Sequence, residues 1–225
     1  MKVFGLTLLG AYFLGGIPFG VLIARMQGID ITQVGSGNIG ATNVVRALGP
    51  RWGTVTFVLD MLKGLIPSLV ARQLFVEPLM GVDPQALWFI CGLVAVIGHA
   101  KSPFLKFKGG KGVSTALGAG LGSAPLVALG AIVVFAIILG TIRYMAVASM
   151  VAVCSAVVFS VILPGQSLQV VPLFVLMAAL VVFLHHKNIA RLKAGTEPKF
   201  EFRKSSEQES AASSRDNVEV PSHKE

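Results

Sequence analysis

The sequence predicts an all-α, polytopic integral membrane helix bundle. Of its 225 residues 54% are hydrophobic and only 13% charged, and the mean hydropathy is +0.75. The apolar residues gather in long runs, not at the two-residue spacing of strands or along one face of a soluble helix. A soluble domain of this length would carry about twice the charge.

A helix needs roughly 20 mostly apolar residues to cross about 30 Å of hydrocarbon. Residues 3–24 meet that requirement first. Their apolar part is too long for a signal peptide and no convincing small-x-small cleavage site follows, so the segment is expected to be a retained span. Further candidates are residues 53–71, 87–98, 113–140, 145–163 and 170–184. The run at 87–98 is short and, taken alone, would suit a buried core helix. The run at 113–140 is longer than one crossing needs and carries Gly118, Gly120, Gly122 and Pro125 near its middle, so it reads as two short spans. The expectation is seven transmembrane helices.

Three polar segments interrupt these runs, at 25–52, 99–112 and 185–200. With seven crossings all three emerge on one face, together with the C-terminus and opposite the N-terminus. Arg25, Arg46, Arg51, Lys101, Lys106, Lys108, Lys111 and Arg143 fall on that face, against Lys2 and Arg72 on the other. The positive-inside rule makes it cytoplasmic and puts the N-terminus on the periplasmic or extracellular side. Residues 1–200 thus form one membrane-embedded domain. Residues 201–225 are polar and rich in Ser and Glu, the composition of a disordered cytoplasmic tail. Cys91 and Cys154 lie inside apolar runs at no metal-ligand spacing, which points to neither disulfide nor metal.

The first segment contains GSGNIG at 35–40, the G-x-G-x-x-G spacing of a dinucleotide-binding turn, with Asp60 20 residues after Gly40 where a ribose-binding acid would stand. That fingerprint requires a strand before it and alternating strands and helices around it. Here membrane runs flank it, so a nucleotide-dependent oxidoreductase is disfavoured. The glycines still allow the backbone to approach an anion, while Ser36, Asn38, Thr42 and Asn43 supply hydrogen-bonding groups and Arg46 a fixed guanidinium.

In the second segment Gly109, Gly110, Lys111 and Gly112 run straight into a helix-like stretch opening with Ser114 and Thr115. Backbone N–H groups at a helix start, the positive end of its dipole and a lysine make a phosphate cradle. It is not a Walker A loop, because Gly112 follows Lys111 and Leu105 occupies the position of the first glycine. A basic turn touching anionic headgroups is the plainer alternative, with Lys101, Lys106 and Lys108 sufficient for it. In the third segment His185 and Asn188 share a helix face at the membrane exit, followed by Glu197. His185 can relay a proton near neutral pH and Asn188 can orient a substrate. No H-x-x-x-x-D acyltransferase motif is present. Asp60 and Lys63, three apart in one span, read as a self-neutralising pair that supports the structure.

Taken together, GSGNIGATN with Arg46, FKGGKGVST and HHKNIARLKAGTEP, in this order, resemble the bacterial acyl-phosphate:glycerol-3-phosphate acyltransferase family (PlsY) over residues 1 to about 200. The resemblance implies transfer of a fatty acyl group from acyl phosphate to the 1-hydroxyl of sn-glycerol 3-phosphate, giving lysophosphatidic acid and inorganic phosphate at the bacterial inner membrane. This is the first acylation of phospholipid biosynthesis. The matching positions are Ser36 and Arg46, then Gly109 to Gly112 with Thr115, then His185, Asn188 and Glu197; Ser114, Asn38 and Asn43 are added as phosphate ligands. Membrane lipid is a further partner, and the resemblance alone implies a soluble enzyme that produces acyl phosphate. No cofactor, metal or nucleic acid is expected.

The residue chemistry suits such a reaction. Two phosphates need two cationic or N–H-rich subsites, and a mixed anhydride is already activated, so positioning and oxyanion stabilisation are the main tasks. No base stands near Ser36 in sequence, which favours binding or oxyanion donation over an acyl-enzyme, hence direct transfer. The hydroxyl proton goes to His185 or to a phosphate oxygen of the donor; the sequence leaves both open. The rival function is a transporter or channel for phosphate or another small anion, which would place charges within several spans.

Overall fold

The computed structural model describes residues 1–200; the tail expected at 201–225 lies outside the described residues. Among the described residues the chain is a multi-span membrane helix bundle, and its extended pairing is limited to one isolated bridge between Leu79 and Val82. The strand that a dinucleotide fingerprint needs before residue 35 is missing among the described residues: a helix ends at Met26 and turns lead from it to Gly35.

Helices α1 (Lys2–Gly16) and α2 (Phe19–Met26) make one apolar stretch interrupted at Ile17-Pro18, where the proline has no N–H for the helical ladder. The carbonyls freed at the break find side-chain donors: Ser102 Oγ donates to Gly16 at 2.6 Å and Lys63 Nζ to Ile17 at 2.9 Å. A loop leads to the short α3 (Ala41–Leu48), which ends on Gly49 and passes through Pro50 into α4 (Pro50–Leu74). After α5 (Pro84–Ala100) comes a 3₁₀ turn, Pro103–Leu105, and the second polar segment. Then follow α6 (Val113–Ser123), α7 (Pro125–Ile142), α8 (Met145–Ile162), α9 (Val171–Leu184) and the polar α10 (His186–Lys193).

Five stretches are long and apolar enough to cross a membrane: Lys2–Met26, Pro50–Leu74, Pro84–Leu105, Pro125–Ile142 and Met145–Ile162. A sixth is reached only by joining α9 and α10 across a 56° bend. The run at 87–98 therefore belongs to a full-length span. The run at 113–140 does divide, at Ala124-Pro125, but unequally: α6 has 11 residues, about 16 Å of rise, and is short for a crossing. Seven spans are more than length and apolarity alone support.

Without a hydrophobic drive between lipid-soluble helices, close backbone packing holds such bundles together. The α4–α6 seam shows it on both sides. A Cβ on Gly64 would stand 2.0 Å from the Thr115 carbonyl oxygen, and one on Gly118 1.9 Å from that of Met61. The main apolar core joins Phe89, Leu93 and Val96 of α5 to Phe174, Met177 and Val181 of α9. A smaller one, with Ile31, Ile39 and Val44, seats the first polar loop on α2.

Candidate active site

The first segment turns on Asn43, which is buried. Its Nδ2 donates to the carbonyls of Ile31 and Val34 at 3.2 and 2.9 Å, and its Oδ1 accepts from Ser36 N–H at 3.0 Å. Those bonds make Asn43 an internal brace of the loop, and it also lines the cavity where a phosphate ligand is expected. Gly35 and Gly37 flank Ser36 with φ of 59° and 67°, in the left-handed region that favours glycine, and so present Ser36 at the tip. Ser36 Oγ accepts weakly from Asn38 N–H at 3.4 Å. Arg46 lies in the last turn of α3 and faces the same cavity as Ser36 and Asn38.

In the second segment Gly112, at φ 73°, caps α6, so the unpaired N–H groups of the first helical turn and the positive end of the helix lie at the cavity wall beside Lys111 and Ser114. Burial lowers the Lys111 pKa to about 8, with Glu197 raising it and Arg191 and Arg46 lowering it further. Thr115 is buried, and its Oγ1 donates to the Asp60 carbonyl at 2.9 Å, tying α6 to α4. Gly109 and Gly110 also sit behind the cavity wall, packed on His99.

In the third segment His185 caps α9 just beyond its apolar run and is 2% exposed, while His186 is exposed. His185 Nδ1 stands 2.7 Å from the Val181 carbonyl, which only accepts, so the proton is on Nδ1 and the Nε2 lone pair is free. Burial lowers its pKa to about 4, against the opposing effect of the Val181 bond, and the ring is neutral at physiological pH. Asn188 Nδ2 donates to Glu197 Oε1 at 2.6 Å, and Arg191 Nε donates to Glu197 Oε2 at 2.7 Å. Asn188 Oδ1 is buried without a hydrogen-bond partner among the described residues.

These groups meet around one cavity of about 320 Å³, lined by Ser36, Arg46, Lys111, His185, Asn188 and Glu197 among others. Arg191 is paired with Glu197, and Asp60 with Lys63 at 2.7 Å. Arg46 and Lys111 make no direct ion pair among the described residues, Glu197 acting on Lys111 only from a distance, so the cavity presents two cations free to meet an anion. A second cavity of about 430 Å³ adjoins the first and is almost wholly apolar; the two share Phe57, Val113, Phe135 and Ser149 as wall. The site is therefore built for anionic groups at one end and hydrocarbon at the other.

Residues 5–195 match the family of glycerol-3-phosphate acyltransferases. The chain belongs to that family. Among similar proteins, the glycerol-3-phosphate acyltransferase of Geotalea daltonii is 47% identical over 193 residues, covering 86% of this chain and 95% of the relative. That of Aquifex aeolicus is 44% identical over 190 residues, covering 84% and 95%. The fold is similar to the crystal structure of PlsY (YgiH), an integral membrane glycerol 3-phosphate acyltransferase, in its glycerol 3-phosphate form. That match has a TM-score of 0.82 and 41% identity over 88% of this chain and 96% of the other. The lysophosphatidic acid form matches with a TM-score of 0.78.

As a glycerol-3-phosphate acyltransferase, the chain brings its three polar segments to one cavity, but it also places there residues that sequence reasoning missed. Asp60 and His99 reach the cavity from inside spans, Arg191 carries the ion pair that holds Glu197, and Phe57 and Ser149 join the polar and apolar compartments. The intramembrane pair Asp60 and Lys63 was the one available signal, since buried charges in a span are rarely idle.

Proposed function

We propose that this acyltransferase moves a fatty acyl group from acyl phosphate to the 1-hydroxyl of sn-glycerol 3-phosphate. The observation that carries the reading is the shared wall between the cationic cavity and the apolar one. An acyl phosphate needs both compartments at once, whereas a phosphate channel has no use for the second. The acyl chain occupies the apolar cavity; the two phosphates lie against Arg46 and against Lys111 with the start of α6.

The glycerol hydroxyl oxygen attacks the acyl carbonyl carbon, a tetrahedral oxyanion forms, and the acyl carbon–oxygen bond to phosphate breaks. The products are 1-acyl-sn-glycerol 3-phosphate and inorganic phosphate. Ser36 and nearby N–H groups are the candidate oxyanion donors, and Asn188 Oδ1 is the acceptor that orients the attacking glycerol. The hydroxyl proton passes to His185 Nε2 or to a phosphate oxygen of the donor.

The reading extends to topology. Val113 and Ser114 line the cavity, and so do Met145 and Ser149. The chain thus leaves the cavity's end of the bundle along α6 and returns along α7, which supports counting the two as separate passes and the total as seven. The basic residues around the cavity favour its opening on the cytoplasmic face of the inner membrane, with the N-terminus on the opposite side.

Purified protein supplied with acyl phosphate and labelled glycerol 3-phosphate should form lysophosphatidic acid and release phosphate. Turnover with acyl-CoA in place of acyl phosphate would reassign the donor. Proteoliposomes that move phosphate without consuming acyl phosphate would replace the enzyme by a transporter.

A further inference from the structure

Asp60, Lys63 and His99 form a cluster behind the second segment, 2%, 1% and 4% exposed. Lys63 Nζ stands 2.7 Å from Asp60 Oδ1, 2.9 Å from the Ile17 carbonyl oxygen and 2.9 Å from His99 Nδ1. An ammonium has three protons and no lone pair. Two of those protons go to the Ile17 carbonyl and to His99, while Asp60 holds the ammonium as an ion pair outside hydrogen-bond geometry, so His99 Nδ1 must be the lone-pair nitrogen. The ring proton is on Nε2.

That nitrogen points at the glycine loop. A Cβ on Gly110 would stand 2.2 Å from His99 Nε2, and one on Gly109 2.0 Å from the His99 carbonyl oxygen. The same carbonyl accepts from Gly110 N–H at 3.1 Å. Gly109 and Gly110 are thus moulded onto His99 immediately before Lys111. The other hydrogen-bond acceptor of Lys63, Ile17, belongs to the break that leads through α2 into the first polar segment. One ammonium therefore links the supports of both cationic arms of the site. A buried ion pair is weak evidence for stability, because apolar residues of similar volume often hold a fold as well or better.

We propose that His99, oriented by the Lys63–Asp60 pair, is a positioning residue for acyl transfer: it sets Gly109 and Gly110 and thereby aims Lys111 into the phosphate-binding cavity. The inference rests on the reading of that cavity as the acyl phosphate and glycerol 3-phosphate site. Its test needs one readout tied to turnover and one independent of it.

In purified full-length protein, His99→Leu leaves the ion pair intact and removes both ring nitrogens; KM for the phosphate-bearing substrates should rise about 10- to 100-fold, more than kcat falls. His99→Gln, whose amide can accept from Lys63 and donate toward Gly110, should recover most of that loss. The neutral double variant Asp60→Asn/Lys63→Met, which frees the ring, should raise KM like His99→Leu. Independently, labelling of the Lys111 amine across neutral to alkaline pH, read by mass spectrometry, should show a displaced midpoint in His99→Leu. Glu197, Arg191, Arg46 and His185, the charged and titratable groups around Lys111, are all unchanged in that variant. An unchanged KM, an unmoved labelling midpoint, or a His99→Gln variant no better than His99→Leu would overturn the proposal. So would a fall in melting temperature matched by activity with labelling unaltered. Wild-type protein without turnover on acyl phosphate would instead sink the functional reading and leave the labelling result to judge His99.

Discussion

Glu197 fixes the side-chain amide of Asn188: Nδ2 donates to Glu197 Oε1 at 2.6 Å, which leaves Oδ1 buried and without a hydrogen-bond partner among the described residues. An amide fixed at one end has its other end fixed too. Removing the carboxylate frees Asn188 to rotate and breaks the Arg191 pair, and a hydrogen bond to a charged group contributes about 1.5–3 kcal/mol. Glu197→Ala should lower kcat/KM by roughly 10- to 100-fold. Glu197→Gln, which keeps an oxygen for Asn188 but loses the ion pair, should fall between. Equal, undiminished kinetics in both would remove the orienting role.

Lys111 gives a pH dependence with a defined sign. Its pKa is about 8 in the fold, against 10.5 for a free lysine. Between those values the folded protein has lost a proton that the unfolded chain still carries, so stability should rise with pH across that window and be flat just below it. Substrate affinity should do the opposite, weakening above about pH 8 as the cation is lost. A bound phosphate restores the charge, and binding should take up a proton at alkaline pH. Calorimetry in buffers of different ionisation enthalpy measures that uptake directly; Lys111→Ala should abolish it.

His185 should not titrate near its ordinary value of 6.5. With its pKa lowered to about 4 by burial and Nδ1–H committed to Val181, the ring stays neutral with Nε2 free throughout the physiological range. The kcat profile of the wild type should therefore have no acid limb from this group between pH 6 and 7. In His185→Ala, a kcat loss of about 10²–10⁴ identifies the ring as the base. Weaker binding with an unchanged profile assigns the proton to the donor's phosphate.

The apolar cavity predicts a chain-length effect. Ala156 lines it together with Phe89 and Phe174, whose rings are tilted against each other with centroids 4.3 Å apart. Ala156→Leu should shift preference toward shorter acyl phosphates. At about 0.8 kcal/mol per buried methylene, each one displaced should weaken binding roughly fourfold. A length profile identical to wild type would show that the chain lies elsewhere.

The sequence made the membrane bundle legible, because long apolar runs record how a chain meets lipid, and the polar segments that interrupt those runs are the ones that meet at the cavity. Ser36, Arg46, Lys111, His185 and Asn188 could be picked out for a similar reason, since polar residues set between spans stand out against apolar neighbours. Three things could not be read that way. The bonds of Asn43 and Thr115 to Ile31, Val34 and Asp60, which brace the loop and the α4–α6 contact, leave no trace in residue type or spacing. His99 sits at the end of an otherwise apolar span and acquires a partner only when α5 packs beside α4. The unequal split at Ala124-Pro125 depends on where α6 meets α4, which glycine content signals without locating.

That seam of α4 on α6 has a practical consequence for redesign. Backbone touches backbone at Gly64 and at Gly118, so the wall bearing Phe57 and Asp60 and the wall bearing Lys111 and Ser114 move as a single plate. Directed evolution of new donor specificity thus meets two unequal territories. Along α7 and α8, at Ala131, Ile132 and Val153, side chains can be exchanged and selected by activity. Along the plate, one added methyl group shows up as failed expression before any change in substrate choice can be scored.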